Sequence, residues 1–385
     1  MDFALTEEQT AMRDTAQRFA TERLAPHYRQ RELDGRIDRA LMRDMGELGL
    51  IAPELPEQVG GLGAGSVSAG LVIEAVARGD FNVAYVQLLG SLMGALLAKH
   101  GVPHVAHPVV RDICAGRKLV ALGLTEPGAG SDAANLKLRA KRSNASYVLD
   151  GEKTSISLAD QADLAVVFAR TGAAEERARG ISAFLVPLDA KGVSRSRFDD
   201  VGSGAVGRGS LFLDSVEVPA DHLLGQEGKG FTQVMQGFDF SRALIGLQCL
   251  APAQVSLEET WAYIQQRQAF GQPIARFQGV TEPLAEAETL IAAARLLCLK
   301  TLWLRDQGAP HTAEAAMCKW WAPKTAFETI HRCLLTHGHG GYSRDLPHQQ
   351  RLRDVLGLQI GDGTEQVQKM VIARERIGRI ALPHG

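Results

Sequence analysis

The chain has 385 residues, of which 45% are hydrophobic and 22% are charged, and its formal net charge is −2. This length and composition are typical of a globular enzyme subunit with two or three domains. The near-neutral charge argues against a nucleic-acid-binding protein, which normally carries a basic excess. The five cysteines include no CxxC pair, which argues against a structural zinc site or a disulfide framework.

The first third of the chain is predicted to be helical. Thr6-Glu7-Glu8-Gln9 has the form of a capping box, in which the Thr hydroxyl and the Gln side chain satisfy free backbone amides. A second helix is expected from Asp38 to Leu48, ended by Gly49. A loop over residues 53–65 follows, and a third helix is expected to begin near Ser66.

The segment from Phe81 to Ala98 contains no formal charge and approaches the length of a membrane span. Its polar residues and the charges at both ends favour a buried core helix, so we expect no membrane insertion. The N-terminus has early acidic residues and no basic region, so a signal peptide is not expected. A reducing cytoplasm is therefore the expected location.

The pattern changes near residue 118. The apolar run Leu119–Leu124 is followed by a Pro/Gly loop and by short β-rich segments separated by turn residues. The segments expected to form strands are Tyr147–Leu149, Leu164–Ala169, Ile181–Val186 and Leu211–Val218.

Helical periodicity returns at Gly228 and continues nearly to the C-terminus. Pro252 and Pro323 fall within helical stretches, where we expect kinks or breaks. The order of helices, strands and helices indicates an α+β chain. The expected division is an N-terminal helical domain at 1–118, a middle β domain at 119–226 and a C-terminal helical domain at 227–385.

Four strings of residues could carry chemistry. Thr125-Glu126-Pro127-Gly128-Ala129-Gly130-Ser131-Asp132 follows an apolar strand, and its glycines would let a flat or anionic ligand approach the backbone. The second string is Gly151–Ser157, and the third is Arg267–Pro273 with Phe277-Gln278 behind it. The fourth, Asp362–Gln368, opens a predicted helix, where free amides favour an electron-rich partner.

In this order and at this spacing, the strings resemble the acyl-CoA dehydrogenase family over essentially the whole chain. The resemblance implies an N-terminal helical domain, a middle β-barrel domain and a C-terminal four-helix bundle. It also implies FAD as the cofactor, an acyl-CoA substrate, electron transfer flavoprotein as the electron acceptor and a homo-oligomer, expected to be a tetramer.

The resemblance assigns contacts to FAD at two sets of positions. The set within one subunit is Leu124, Thr125, Gly130, Ser131, Ile156, Ser157, Thr364 and Gln366. The set that reaches the FAD of a neighbouring subunit is Arg267, Phe270 and Gln278. Ser155 stands where the family usually has Trp, so shielding of the flavin ring at that point is in question.

Contacts to the substrate are assigned in the same way. Asp239 and Arg242, spaced Asp-x-x-Arg at an expected helix start, match contacts to the CoA arm; an exposed ion pair is the alternative interpretation. Ser131 and Gly363 complete the substrate set. No motif signals an acidic or thiol partner for His337-x-His339, so no metal site is expected.

Asp362 matches the base that removes the α-proton, a position at which the family commonly has Glu. Asp is shorter by about 1.5 Å, and a branch of the family that acts on alicyclic thioesters uses it. The chain also resembles that branch at 52–57 and 79–85, which predicts conversion of cyclohexanecarboxyl-CoA to cyclohex-1-ene-1-carboxyl-CoA. The alternatives are a short- or branched-chain acyl-CoA dehydrogenase, a flavin oxidase similar to nitroalkane oxidase, and a non-catalytic acyl-CoA-binding flavoprotein.

Overall fold

The computed structural model describes residues 3–381. Helices form the first part of the chain: α1 (Glu7–Phe19), α2 (Tyr28–Asp34), α3 (Arg39–Glu47), α4 (Ser66–Gly79), α5 (Ala84–His100) and α6 (Pro103–Cys114). The predicted capping box is confirmed, because the Gln9 amide donates to Thr6 Oγ1 at 3.2 Å and the Thr6 amide donates to Gln9 Oε1 at 3.1 Å. The predicted second helix is also confirmed, with Asp38 as its N-cap and Gly49 beyond its end at φ 68°.

Helix α5 contains the uncharged segment and is buried along most of its length. Gln87 and Ser91, its polar residues, are fully buried, and Gln87 Nε2 donates to the Ala69 carbonyl at 2.8 Å. This agrees with a core helix. Over residues 3–381, no helix has the length and apolar character needed to cross a membrane.

The middle of the chain forms a seven-stranded curled sheet. Its strands are β1 (Val120–Gly123), β2 (Arg139–Ser143), β3 (Ser146–Ile156), β4 (Leu164–Arg170), β5 (Ile181–Pro187), β6 (Val193–Arg195) and β7 (Gly209–Pro219). The strand order is β1-β4-β2-β3-β7-β6, with β5 antiparallel to β4. Strand β1 runs parallel to β4, with Val120 opposite Leu164.

Strands β2 and β6 were not predicted. Most of β2 is exposed and its sequence, Arg-Ala-Lys-Arg-Ser, is largely charged. It is held by backbone pairing with β3, and β6 is held in the same way by β7. Because these pairings are made by the backbone, the sequences of β2 and β6 carry no apolar side-chain pattern from which a strand could be predicted.

The C-terminal part is a helical bundle with one short hairpin. Its elements are α7 (Gly230–Gln266), β8 (Gln268–Ala269), β9 (Gln272–Pro273), α8 (Gln278–Asp306), α9 (Thr312–Thr336), α10 (His339–Tyr342), α11 (His348–Ile360) and α12 (Glu365–Ile377). Helices α7, α8 and α9 pack on one another, and α11 and α12 pack on α9. The predicted α+β class and the order of helices, sheet and bundle are confirmed.

The expected breaks at the two prolines are wrong. Helix α7 continues through Pro252 and α9 continues through Pro323. Both prolines are buried in the packing of these two long helices. Tertiary packing therefore outweighs the hydrogen bond that each proline removes.

Asp354 on α11 joins the three parts of the chain. Its carboxylate accepts hydrogen bonds from the Tyr28 hydroxyl at 2.5 Å and from Asn82 Nδ2 at 2.9 Å, both in the N-terminal part. It also accepts from the Ser203 amide at 2.6 Å, in the loop between β6 and β7. These contacts fix α11 and therefore the turn that leads to α12.

Candidate active site

Residues 361–364 form the turn between α11 and α12, and the predicted base lies at its centre. Asp362 has φ 55° and Gly363 has φ 99°, so both adopt left-handed backbone conformations. Asp is among the few residues other than glycine that tolerate this region. Thr364 is the N-cap of α12, and its side chain accepts from the Val367 amide at 3.5 Å. The prediction that this string opens the last helix is confirmed.

Two buried side chains hold the backbone of the turn. Gln368 Nε2 donates to the Asp362 carbonyl at 3.2 Å and to the Gly363 carbonyl at 3.3 Å. A Cβ atom at residue 363 would lie 2.2 Å from Gln368 Nε2, so glycine is required there. Lys319 Nζ donates to the Leu358 carbonyl at 2.6 Å and to the Gly363 carbonyl at 3.2 Å.

The Asp362 and Gly363 carbonyls are thus paired, whereas the Asp362 amide is not. Within the described residues, the Asp362 N–H has no acceptor at hydrogen-bonding distance. A free amide beside a carboxylate can polarise a carbonyl oxygen. The turn therefore presents a base and a hydrogen-bond donor together.

The Asp362 carboxyl lies in an environment that favours its protonated form. Burial raises its pKa, and the positive charges of Lys319 and Arg242 oppose this rise. Tyr85 on α5 also faces this carboxylate, which contributes to the raised pKa of the Tyr85 hydroxyl after burial itself. A carboxylate with a raised pKa is a stronger base than an exposed one.

Asp239 and Arg242 are close to the turn, but their setting differs from the expectation. Helix α7 begins at Gly230, so the predicted position at a helix start is wrong. The pair is also buried, with side-chain exposures of 17% for Asp239 and 8% for Arg242, and its N···O distance is 3.1 Å. The exposed ion pair considered as the alternative is therefore excluded.

The charged pair is only partly satisfied. Asp239 accepts a second hydrogen bond, at 2.6 Å, from the Thr312 hydroxyl at the start of α9. Arg242 Nε is buried and has no partner within residues 3–381. Because a buried donor without an acceptor is unfavourable, this atom is available to a polar group of a ligand beside Asp362.

The first two strings are joined by a buried ion pair. Lys153 on β3 is fully buried, and its Nζ donates to Glu126 Oε1 at 2.7 Å and to the Leu124 carbonyl at 3.2 Å. Burial lowers the pKa of Lys153 to about 8, and the charge of Glu126 opposes this shift. The Thr154 amide donates to the Thr125 carbonyl at 2.8 Å. The glycine-rich loop is therefore fixed to β3.

The surface of this joined loop is open. A Cβ atom at Gly128 or Gly130 would have no heavy atom within 4 Å. Ser131 is exposed, Ser157 is partly buried, and Ile156 and Leu124 are buried beneath them. An open glycine loop with hydroxyl groups above an apolar floor suits a flat ring with polar edges, as the isoalloxazine of FAD has. The predicted FAD contacts of these two strings are thus brought together.

The third string forms the β8–β9 hairpin and faces outward. Phe270 at its tip is 95% exposed and has φ 51°. Its ring meets that of Phe277 edge to face, with centroids 6.0 Å apart. Arg267 and Gln278 are exposed, and Arg267 has no acidic partner among the described residues. These three residues lie at the tip of one exposed hairpin and on either side of it in sequence.

Of the two histidines in the 336–342 region, His337 is used in packing and His339 is exposed. His337 stacks on Tyr263 with centroids 4.1 Å apart and meets His348 at 4.5 Å. Thr260 and His337 Nε2 are hydrogen-bonded at 3.3 Å. Within residues 3–381, no group of three or more His, Cys, Asp or Glu side chains is placed to hold a metal ion.

Sequence reasoning missed the residues that support the site, Lys319, Gln368 and the pair Glu126–Lys153. A signal for Lys319 was present, because it lies on the same helical stripe as Ala315, Ala322 and Ala326, all of them buried. A lysine on a buried stripe needs a partner. Glu126 and Lys153 are 27 residues apart, and no local pattern connects them.

Comparisons with known proteins find similarity to acyl-CoA dehydrogenases along nearly the whole chain. Three domain models of acyl-CoA dehydrogenases match in sequence: the N-terminal domain at residues 6–117, the middle domain at 121–216 and the C-terminal domain at 228–377.

Individual relatives show the same extent of similarity. The chain is 35% identical to the probable acyl-CoA dehydrogenase YngJ of Bacillus subtilis, over 97% of this chain and 99% of the relative. It is also 35% identical, with the same coverage, to benzylmalonyl-CoA dehydrogenase of Aromatoleum aromaticum. Among solved structures, butyryl-CoA dehydrogenase of Megasphaera elsdenii superposes with a TM-score of 0.94 at 31% identity, covering 98% of this chain and 100% of that one.

Proposed function

The chain belongs to the acyl-CoA dehydrogenase family, and from this premise we propose that Asp362 removes the α-proton of a bound acyl-CoA thioester. The enzyme is a FAD-dependent oxidoreductase that acts on acyl-CoA, as its family is. One observation carries the assignment of the base: the carboxyl group of half-buried Asp362, whose pKa is raised, lies beside its own free amide and an unpaired arginine nitrogen.

The chemistry follows from these groups. A thioester α-proton is weakly acidic, and a hydrogen bond from the free Asp362 amide to the thioester oxygen would make it more acidic. The Asp362 carboxylate then takes the proton, and the electrons of that C–H bond form the double bond as a hydride leaves the β-carbon. FAD, when bound, supplies the acceptor for this hydride.

We place the CoA arm beside α7 and the thioester at the turn. Asp239 holds Arg242 in position, which leaves Arg242 Nε free to donate to a carbonyl of the arm. Ser131, exposed on the glycine loop, would contact the arm or the cofactor.

The residues proposed to hold FAD form two groups. The open loop and the end of β3 would contribute Leu124, Thr125, Gly130, Ser131, Ile156 and Ser157, and the start of α12 would contribute Thr364 and Gln366. The outward hairpin would contribute Arg267, Phe270 and Gln278 to the FAD of a neighbouring copy, since Arg binds pyrophosphate well. A complete site then needs at least a dimer, and we propose a tetramer, with electron transfer flavoprotein as the acceptor of the electrons.

For the acyl group we propose cyclohexanecarboxylate. A base shorter by about 1.5 Å leaves room for a ring whose α-carbon carries only one hydrogen. A short linear acyl group is the second candidate, favoured by the similarity to butyryl-CoA dehydrogenase over the full length.

An anaerobic visible spectrum of the FAD-loaded enzyme tests both statements. Each thioester, cyclohexanecarboxyl-CoA and butyryl-CoA, is added to a separate sample, and loss of the oxidised flavin band is recorded. We expect rapid bleaching by the ring thioester and little by the linear one. Bleaching by butyryl-CoA alone would keep the dehydrogenase and exclude the alicyclic substrate. Flavin that stays oxidised with both would contradict the proposal, and oxygen uptake with a nitroalkane would then identify a flavin oxidase.

A further inference from the structure

Lys319 lies in the middle of α9 and is 1% exposed. Burial lowers the pKa of its ammonium group to about 8, which the charge of Asp362 partly offsets. Placing a charged amine in the interior is unfavourable unless it is paired. Its hydrogen bonds go to two backbone carbonyls and to no carboxylate. Keeping the Lys319 charge in the interior therefore lowers the stability of the fold, which is typical of residues that serve a functional site.

The two carbonyls that Lys319 binds lie on either side of Asp362. The Leu358 carbonyl belongs to the last turn of α11, where a continued helix would pair it with the Asp362 amide. The helix ends instead at Gly361, whose backbone is extended at φ −59° and ψ 156°, so the Asp362 amide is left without this partner. Lys319 Nζ donates to the Leu358 carbonyl at 2.6 Å, where a cation also suits the helix dipole. Its second bond, to the Gly363 carbonyl, holds the other side of the turn.

The charge of Lys319 also acts on the carboxylate. Three side chains on three helices interact electrostatically with Asp362: Lys319 on α9 and Arg242 on α7 lower its pKa, and the charge of Asp362 raises the pKa of Tyr85 on α5. Arg242 is already paired with Asp239, and Arg374 on α12 also acts on it. Lys319 is thus the nearby cation without a carboxylate partner of its own in the described chain, and it opposes the rise that burial imposes on the Asp362 pKa.

We propose that Lys319 is a positioning residue for the base: its ammonium group holds the 361–364 turn with the Asp362 amide free, and its positive charge stabilises the ionised form of the Asp362 carboxylate. This inference rests on the proposed role of Asp362. One buried side chain would then act both on the geometry of the turn and on the charge of the base.

Four single variants separate the two effects. Lys319→Met removes the charge and both hydrogen bonds, Lys319→Gln keeps a neutral donor, and Lys319→Arg keeps the charge. Lys300→Met is the matched control, because Lys300 is a lysine on the neighbouring helix α8 with 56% side-chain exposure. Asp362→Asn is measured in parallel to test the base itself.

The first readout is the pH dependence of flavin reduction by an acyl-CoA in a single anaerobic turnover. Since a base works only when ionised, the rate falls as the pH drops through the pKa of Asp362. Without the Lys319 charge that pKa rises, so the acidic limb should move to higher pH in Lys319→Met and Lys319→Gln by about one unit. At pH values below the limb, the rate of flavin reduction in these two variants should therefore be roughly tenfold lower than in wild type. Lys319→Arg and Lys300→Met should keep the wild-type limb.

The second readout does not depend on activity. Hydrogen exchange of FAD-loaded protein should be faster over residues 358–364 in Lys319→Met than in wild type, with the remainder of α9 unchanged. Lys319→Gln should lie between them. If Lys319 were only a structural residue, its replacement would raise hydrogen exchange along α9 and would leave the acidic limb of the pH profile unchanged.

Three results would overturn the inference. One is a folded, FAD-loaded Lys319→Met enzyme with the wild-type limb; another is unchanged exchange over 358–364. The third is loss of the FAD-loaded fold in both Lys319→Met and Lys319→Gln, which would make Lys319 a structural residue. If Asp362→Asn still reduces flavin at nearly the wild-type rate, the proposed function fails instead, whatever the Lys319 variants do.

Discussion

At the scale of single residues, half-buried Asp362 combines a left-handed backbone, a free amide and a carboxyl group of raised pKa. Its position before Gly-Thr in sequence predicted both the candidate base and the cap that Thr364 provides. The buried helical stripe signalled that Lys319 needs a partner, but not which one, because its partners are backbone carbonyls of a distant turn. Those bonds depend on how α9 packs on that turn, which no local pattern records.

The length of the base is expected to determine the acyl group. Asp362→Glu would extend the carboxylate by about 1.5 Å, and a displacement of about 1 Å can change a rate a hundredfold. We expect the ratio of flavin reduction rates, butyryl-CoA over cyclohexanecarboxyl-CoA, to rise by at least about tenfold. Stopped-flow measurement of both thioesters on one preparation gives this ratio. The same substitution at exposed Asp345 is the control, and an unchanged ratio at position 362 would remove side-chain length as the determinant.

At the scale of elements, the glycine loop is held on β3 by the ion pair Glu126–Lys153 and by backbone contacts. Glu126 is buried and accepts from Lys153 Nζ at 2.7 Å and from the amides of Lys137 and Leu138 at 2.6 and 2.8 Å. Sequence periodicity predicted β3 and the loop as separate features. The ion pair that joins the loop to β3 links residues far apart in sequence, so only the structure could reveal it.

Lys153→Met should therefore loosen the loop and weaken FAD binding. Breaking a buried pair leaves an uncompensated carboxylate and costs about 3–5 kcal/mol, so the free energy of unfolding should fall by an amount of that order. We expect the dissociation constant for FAD to rise at least tenfold, measured by fluorescence titration of apoprotein. Lys141→Met, on exposed β2, is the control. Equal FAD affinity in Lys153→Met and wild type would show that the pair does not support the cofactor loop.

At the scale of the whole molecule, the order of helices, sheet and bundle followed from the change of periodicity along the sequence. The hydrogen bonds by which Asp354 connects the three parts of the chain could not be predicted in this way. Its partners Tyr28, Asn82 and Ser203 are 326, 272 and 151 residues away. The hairpin was not predicted, since helical periodicity was expected throughout this region; the family resemblance predicted only that Arg267, Phe270 and Gln278 reach a neighbour's FAD. The exposure of the hairpin supports an assembly in which one copy completes the FAD site of another.

Phe270→Asp tests that assembly. Since Phe270 is 95% exposed, the substitution should leave the fold of the single chain intact, with the same far-UV circular dichroism. We expect the bound FAD per chain to fall by at least half at micromolar protein, because base and ring stacking on an aromatic side chain contributes about 1–3 kcal/mol. Light scattering with flavin absorbance gives mass and FAD content together. Leu33→Asp, at another exposed apolar residue, should change neither; a fully FAD-loaded wild-type monomer would contradict the shared site.

The role of Asp362 as the base is tested most directly by a single anaerobic turnover of Asp362→Asn. Because Asn has nearly the same shape as Asp, acyl-CoA should still bind and perturb the flavin spectrum, but the amide cannot accept the proton. We predict that the rate of flavin bleaching falls by at least about a thousandfold relative to wild type, within the range that a general base contributes. Bleaching within about tenfold of the wild-type rate would show that another group removes the α-proton.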